Sequence, residues 1–235
     1  MPNYYPVMLD VRSRVAIVVG GDHMAAEKAA GLAASGANVR VINPEFCDEL
    51  LVQAEQRRVT LLRKAYEPGD LAGAFVVIAA TNDPQLVQAI WIETQERGQL
   101  VNIVDVPERC SFIMPSILRR EPLIIAVSTE GASPSLAKRI RRDLEEIFPP
   151  AYGTYLRLAA LARTHLRQHD VSYDRRDDFF HDFHTSEVLN KLVEGDIPQA
   201  AAITASLLQH YGIDVPAQML ATGLEEEHAY VRSNA

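Results

Sequence analysis

The sequence predicts an α/β protein. A Rossmann-like, doubly wound parallel sheet comes first, then a small mixed segment, then an all-helical carboxyl-terminal region. Three observations carry this. Short apolar runs alternate with helical patterns as far as Asp105, a glycine turn follows the first of those runs, and strand signals vanish beyond Pro149-Pro150. Runs that are apolar throughout, rather than at every second residue, indicate strands covered on both faces, which is the habit of parallel sheets.

The elements follow in order. Val15 to Val19 is a β-branched run that ends at Gly20-Gly21, and Ala25 to Ser35 is an alanine-rich helix stopped by Gly36. Val39 to Ile42 is the second strand, closed by Asn43-Pro44. Glu45 to Arg57 reads as a helix and Val59 to Leu62 as the third strand. Phe75 to Ala80 is a fully apolar fourth strand; Gln85 to Arg97 is a helix stopped by Gly98, and Leu100 to Val104 is the fifth strand. Leu123 to Val127 is a further β-rich segment. Ser133-Pro134 opens a helix from Ser135 to Phe148, with serine as cap and proline in the first turn. Tyr152 to His169, Ser186 to Glu194 and Pro198 to Tyr211 carry helical patterns. The expected divisions are 1–112, a nucleotide-type α/β domain; 113–150, a short mixed segment; and 151–235, a helical region.

Bulk properties exclude several classes. The chain of 235 residues is 48% hydrophobic and 23% charged, an ordinary globular composition. Its formal net charge of -8 argues against nucleic acid as a partner. Two cysteines, Cys47 and Cys110, without CxxC spacing fit a reducing cytoplasm rather than a disulfide framework or thiolate zinc site. No apolar run approaches about 20 residues, so no membrane span is expected.

Asn102 to Ser116, NIVDVPERCSFIMPS, is the most informative stretch. It sets Asp105 at the end of a buried strand and follows it with Phe112, Ile113, Met114 and Pro115. Open α/β sheets bind ligands in the crevice beyond the carboxyl ends of their strands. An acid there beside an apolar shelf suits a large, flat, partly apolar ligand. Asp105 is therefore the candidate catalytic residue, placed to exchange a proton with such a ligand. The bland alternative is a loop aspartate capping nearby N–H groups.

The glycine turn, GGDHMA from Gly20 to Ala25, stands where a dinucleotide fold brings backbone N–H groups and a positive helix end to a pyrophosphate. Asp22 occupies the place of the middle glycine, where a β-carbon limits approach and a carboxylate repels phosphate; as the bland reading, it is simply a helix N-cap. After the second strand, where an acid usually meets the adenosine ribose, the chain offers Asn43, Pro44 and Glu45.

The segments YYPVMLDVRSRVAIVVGGDHMAAEKAAGLAASGANVRVINPEF, VIAATNDPQLVQ, NIVDVPERCSFIMPS and LIIAVSTEGASPSLAKRIRRDLE resemble, in order and spacing, the siroheme synthase amino-terminal family. The resemblance covers about residues 4 to 150, and with no methyltransferase domain following it looks like the stand-alone form. It implies NAD-dependent oxidation of precorrin-2 to sirohydrochlorin and, in bifunctional members, insertion of ferrous iron as a second substrate to give siroheme. It places dinucleotide contacts on Gly20, Gly21, His23 and Met24, on Pro44 and Glu45, and near Thr81, with Asp22 and Asn43 in the same crevice. Its key acid corresponds to Asp105, which would take a proton as hydride leaves the tetrapyrrole or hold the metal ion transiently. The tetrapyrrole would meet Asn102, Phe112, Met114, Pro115 and Ser116 and, farther on, Ser128, Thr129 and Ser133. The family forms homodimers through the segment after the nucleotide domain. Leu123, Ile125 and Val127 with Leu136, Ile140 and Leu144 could form that seam or equally close an intramolecular core.

Other groups are weaker candidates. Arg119, Arg120, Lys138, Arg139, Arg141 and Arg142 could steer a polycarboxylate, but Asp143, Glu145 and Glu146 lie at pairing distances, so most read as structural. His165 and His169, or His181 and His184, could each present two nitrogens from one helix face, although such faces are commonly solvated surface. Cys110 has no activating base nearby and reads as a small packed side chain. Two competing readings remain. One is a protein that mainly inserts metal, its NAD site weakened by Asp22. The other is a Rossmann-type nucleotide-sensing regulatory module, which calls for a full glycine motif, an acidic second-strand end and no FIMPS segment.

Overall fold

The computed structural model describes residues 4–224 and divides into two compact units, Met1–Met114 and Pro115–Ala235. In the first unit, β1 (Val15–Val19), α1 (His23–Ala34), β2 (Asn38–Asn43), α2 (Asp48–Glu55), β3 (Val59–Arg63), β4 (Val76–Ala79), α3 (Pro84–Arg97) and β5 (Leu100–Ile103) succeed one another. The five strands are parallel in the order β3-β2-β1-β4-β5. The chain reverses direction of travel at β1, whose neighbours are β2 on one side and β4 on the other, and this reversal opens a crevice at the strands' carboxyl ends.

Both faces of the sheet are covered. Ala16 and Val18 of β1 join Val39, Val41, Val76 and Ile78 beneath α1 and α2, while Ile17 and Val19 join Val77, Ala79, Val101 and Ile103 against α3. This two-sided burial is why the strands are apolar without alternation. Helix α1 lies close on the sheet because its contact residues are Ala25, Ala26 and Ala29, all buried. It ends through Gly36 at φ 82°, and α3 ends at Gly98 with φ 63°, both left-handed positions that glycine takes without steric cost.

Helix α2 begins three residues later than the expected start at Glu45. The reason is a turn in which the Asn43 amide donates to the Glu45 carbonyl at 2.5 Å and Cys47 N–H donates to Gly21 O at 2.8 Å. Residues 44–46 thus lie against the glycine turn instead of starting a helix.

Glu93 organises the other face. Its buried carboxylate accepts from the Tyr66 hydroxyl at 2.6 Å, Gly69 N–H at 2.9 Å, Leu71 N–H at 3.3 Å and Arg97 Nε at 2.8 Å, fixing the long connection into β4. Burial raises its pKa, but the bonds from Tyr66, Gly69 and Arg97 outweigh that and hold it below the usual glutamate value.

In the second unit an antiparallel hairpin of β6 (Ser116–Arg120) and β7 (Leu123–Val127) packs with α4 (Pro134–Ile147). Helices α5 (Ala151–Gln168), α6 (Tyr173–Thr185), α7 (Val188–Val193) and α8 (Ile197–His210) follow, with a further helical run over 217–224. Two of these elements escape the sequence reading. β6 carries Arg119 and Arg120 in its strand, and α6 opens on the charged run Tyr173–Asp178. What holds α6 is the pair Phe179 and Phe183, one turn apart and fully buried in the helical core. Leu123, Ile125 and Val127 are half-buried, on the hairpin face that carries buried Leu118. The opposite face, with Ile117 at 36% and Ile124 at 38% exposure, is the open one.

Candidate functional site

At the carboxyl ends of β1, β2 and β4 lies a cleft of about 480 Å³. Six of the residues expected there line it, namely Gly20, Gly21, Asp22, Asn43, Glu45 and Thr81. His23 and Met24 occupy the first turn of α1, and Pro44 is exposed in the adjoining turn. The sequence reading missed Phe46, Cys47, Ala80 and Asn82 as lining residues, and it missed Arg63. Arg63 is the register partner of Asn43; its guanidinium lies 5.3 Å from the Phe46 ring centre and donates to Pro44 O at 3.5 Å. The available signal was the strand-end position shared by Asn43 and Arg63.

The glycines in this turn are required by packing. Gly20 has φ 148°, and a β-carbon on it would run into the Ala80 carbonyl. On Gly21 a β-carbon would overlap the Glu45 carbonyl and the Asn43 amide. Asp22, by contrast, sits at φ -92°, ψ -177°, extended backbone that any residue adopts. Its carboxylate turns back onto the helix and accepts from Ala25 N–H at 3.0 Å, the N-cap role. The backbone N–H groups of Gly21, Asp22, His23 and Met24 have no acceptor among the described residues. Free N–H groups at the opening of α1, beside a cleft, fit the pyrophosphate of a dinucleotide, and Asp22 does not block them sterically. Burial pushes the Cys47 thiol up, so it remains a neutral lining group.

The register Ala79↔Ile103 brings the exits of β4 and β5 to the same edge, so Asp105 leaves the sheet beside the strand that leads into Thr81. Ile103 to Val106 is a tight turn closed by Val106 N–H on Ile103 O at 3.2 Å, with Asp105 at φ 60°. Aspartate tolerates this left-handed position better than most residues. The Asp105 side chain is exposed and makes no hydrogen bond among the described residues, so it is not the backbone cap that the bland reading supposes.

The loop behind Asp105 is held against β5, which is an edge strand. Ser111 Oγ accepts from Val101 N–H at 2.7 Å, Ser111 N–H donates to Val101 O at 2.8 Å, and Cys110 Sγ accepts from Ile103 N–H at 3.1 Å. These contacts satisfy the strand's outer edge. Asn102 Nδ2 donates to Phe112 O at 3.0 Å, and the Phe112 ring packs against the sheet core with Phe75 and Val104. Asn102 and Phe112 thus position the loop, while Met114 is left 42% exposed. Burial pushes the Cys110 thiol up, in keeping with a packed, unreactive side chain.

The remaining expected substrate residues belong to the second unit. Pro115 is half-buried and Ser116 begins β6. Ser128 Oγ accepts from Glu130 N–H at 3.0 Å, Thr129 Oγ1 from Ser133 N–H at 3.0 Å, and Ser133 Oγ from Leu136 N–H at 3.3 Å. Their oxygens shape the turn into α4 and leave the hydroxyl protons to bond elsewhere. Of the basic set, Arg120 donates to Phe148 O at 2.8 Å and Arg141 pairs with Glu145, whereas Arg119, Lys138, Arg139 and Arg142 are exposed. His165 is pushed down by burial and by neighbouring His169; His181 and His184 lie on α6. Among the described residues no three of His, Cys, Asp or Glu gather as a metal cluster, and no helix is long and apolar enough to cross a membrane.

A parallel 3-2-1-4-5 sheet, a glycine turn with free N–H groups and an unengaged acid at the next strand exit define the class: a dinucleotide-binding α/β fold. Comparison with known proteins agrees and is more specific. Residues 7–116 match the family described as putative NAD(P)-binding, and residues 120–147 match the sirohaem biosynthesis protein central family. The siroheme synthase of Photorhabdus laumondii is 35% identical over 198 residues, covering 84% of this chain and 42% of that protein. The siroheme synthase of Nitrosomonas eutropha is 39% identical over 179 residues, covering 76% of this chain and 38% of that one. The chain thus spans about two fifths of these relatives' length. Among solved structures, SirC, a precorrin-2 dehydrogenase, aligns with a TM-score of 0.73 at 27% identity, covering 88% of this chain and 98% of its own. The chain belongs to the siroheme synthase amino-terminal family.

Proposed function

We propose that the protein oxidises precorrin-2 to sirohydrochlorin with NAD as hydride acceptor. The observation that carries this reading is the unengaged Asp105 at the exit of β5, the strand paired with the one that leads into the glycine-turn cleft, on a fold that aligns over nearly the whole of a precorrin-2 dehydrogenase. Bound NAD supplies the hydride acceptor, so the protein needs no nucleophile of its own. The N–H groups of Gly21 to Met24 take the pyrophosphate, and Glu45, beside the end of β2, is the carboxylate available to the ribose hydroxyls. The substrate loses a hydride and a proton, and Asp105 accepts the proton. Asn102 and Ser111 keep the Asp105 loop in place during the reaction. Insertion of ferrous iron as a substrate is a second reading of the same residue, because a free carboxylate can also receive pyrrole protons as metal enters. The nucleotide-sensing alternative lacks support: its acidic second-strand end is absent and the FIMPS segment is present.

The working form in this reading is a homodimer, with a second copy covering the hairpin face around Ile117 and Ile124. The test is turnover of precorrin-2 with NAD, followed by absorbance, in wild type and Asp105→Asn. Asparagine keeps the left-handed backbone, so the fold stays intact while the base is lost. The rate should fall about 10²- to 10⁴-fold with NAD affinity unchanged. Full activity in Asp105→Asn removes that residue from the mechanism, and no turnover in wild type removes the reading.

A further inference from the structure

Within the helical unit, α5 and α6 enclose a basin of about 590 Å³ that the proposed reaction does not use. Arg163 and Arg167 reach it from α5, and Arg176, Asp177, Phe180 and His184 line it from α6. The spacings 163/167 and 176/180/184 put these side chains on helix faces that meet. Three guanidiniums stand against a single lining carboxylate, in a chain whose formal charge is -8. None of the three makes an ion pair or a side-chain hydrogen bond among the described residues. The acids Asp174, Asp178 and Asp182 are on α6 too, yet none of them closes on these arginines. Three guanidiniums converging on one basin against a single lining carboxylate form a local positive surface that favours an anionic ligand.

Two further features define the ligand. The Arg163 guanidinium stacks at 4.5 Å over the Phe180 ring, which orients its N–H edges while keeping an apolar wall in the basin. His184 Nδ1 and the Tyr155 hydroxyl are hydrogen-bonded, the heavy atoms 2.6 Å apart. Burial pushes that phenol up to about 12. A basin of this volume exceeds the needs of a phosphate ion and suits a ligand of drug size.

We propose that this basin is a binding site for a flat, conjugated polycarboxylate, with the arginines taking carboxylates and Phe180 contacting the ring. The site stands on the geometry of α5 and α6; only the expectation that its natural ligand is the tetrapyrrole rests on the function proposed above.

The full chain titrated with uroporphyrin I, an octacarboxylate macrocycle, at fixed ionic strength tests it. Wild type should show a binding component that weakens with added salt. In Arg163→Gln/Arg167→Gln/Arg176→Gln that component should weaken at least tenfold, with the circular dichroism spectrum and NAD affinity unchanged. Asp177→Asn, which removes the opposing charge, should tighten it at least twofold. An isotherm within twofold of wild type in the triple variant overturns the site, and so does inorganic phosphate displacing the porphyrin as well as the porphyrin's own carboxylates compete. Precorrin-2 turnover in the same wild-type sample separates the two proposals. Arginine-dependent binding without turnover defeats the function while the site stands; turnover with arginine-independent binding defeats the site alone.

Discussion

Asp22 is the residue whose substitution tests the nucleotide crevice most sharply, because structure and charge act there independently. Its carboxylate makes one hydrogen bond, to Ala25 N–H at 3.0 Å, and its backbone is extended. Asparagine caps a helix as well as aspartate does, so Asp22→Asn should leave the unfolding free energy within about 1 kcal/mol, the loss being the favourable charge at the helix start. Glycine costs a few tenths of a kcal/mol and alanine about 1 kcal/mol at such a cap. The binding term is separate. Asp22 is exposed, so its repulsion of a phosphate charge is of water-like strength, about 1 kcal/mol at contact range and less once screened. Two phosphate charges bring the total back to about 1 kcal/mol, or about fivefold in affinity. Isothermal titration of NAD into wild type, Asp22→Asn and Asp22→Gly should therefore give about fivefold tighter binding in both variants, with urea unfolding nearly unchanged. If Asp22→Asn binds within twofold of wild type while Asp22→Gly binds much more tightly, the β-carbon rather than the charge limits the site and the electrostatic argument fails. If neither changes, Asp22 is a cap and nothing else.

Two other outcomes concern the framework around the crevice. Glu93→Gln removes the charge that four donors converge on, and should lower stability by about 2–4 kcal/mol in urea unfolding. Because the folded pKa of Glu93 lies below its unfolded value, its contribution is complete above the unfolded glutamate pKa and is lost as pH falls through the folded one. The gap between wild type and Glu93→Gln should accordingly close in acid; a gap independent of pH would contradict the assigned charge state. Gly21→Ala drives a β-carbon into the Glu45 carbonyl and the Asn43 amide, so it should cost about 1–3 kcal/mol and displace the turn over residues 43–46. Thermal unfolding and NAD titration would register both effects, and a variant as stable as wild type would show that the turn yields freely.

The parallel sheet was legible in the sequence because its strands are buried on both faces and so are apolar throughout. Val15–Val19 and Val76–Ala79 need no partner information to be recognised. Gly36 and Gly98 marked helix ends for an equally local reason, the low cost of left-handed backbone at glycine. β6 and α6 were not legible. Each is amphipathic and charged, and the burial of Leu118 or of Phe179 and Phe183 depends on partners distant in sequence. The late start of α2 likewise follows from Cys47 binding Gly21 O, a contact across the crevice that no local propensity encodes.

The sequence by itself determined the sheet class, the order of its elements, the glycine turn and the placing of Asp105 at a strand exit, because each depends on neighbours along the chain. Tertiary structure alone decided that Asp22 caps α1, and that Asn102, Cys110 and Ser111 secure the loop behind Asp105. It alone gathered Arg163, Arg167 and Arg176 around one basin. Hydrogen-bond partners and shared cavities are set by how helices and strands pack, and packing is a property of the folded chain that periodicity and composition do not carry.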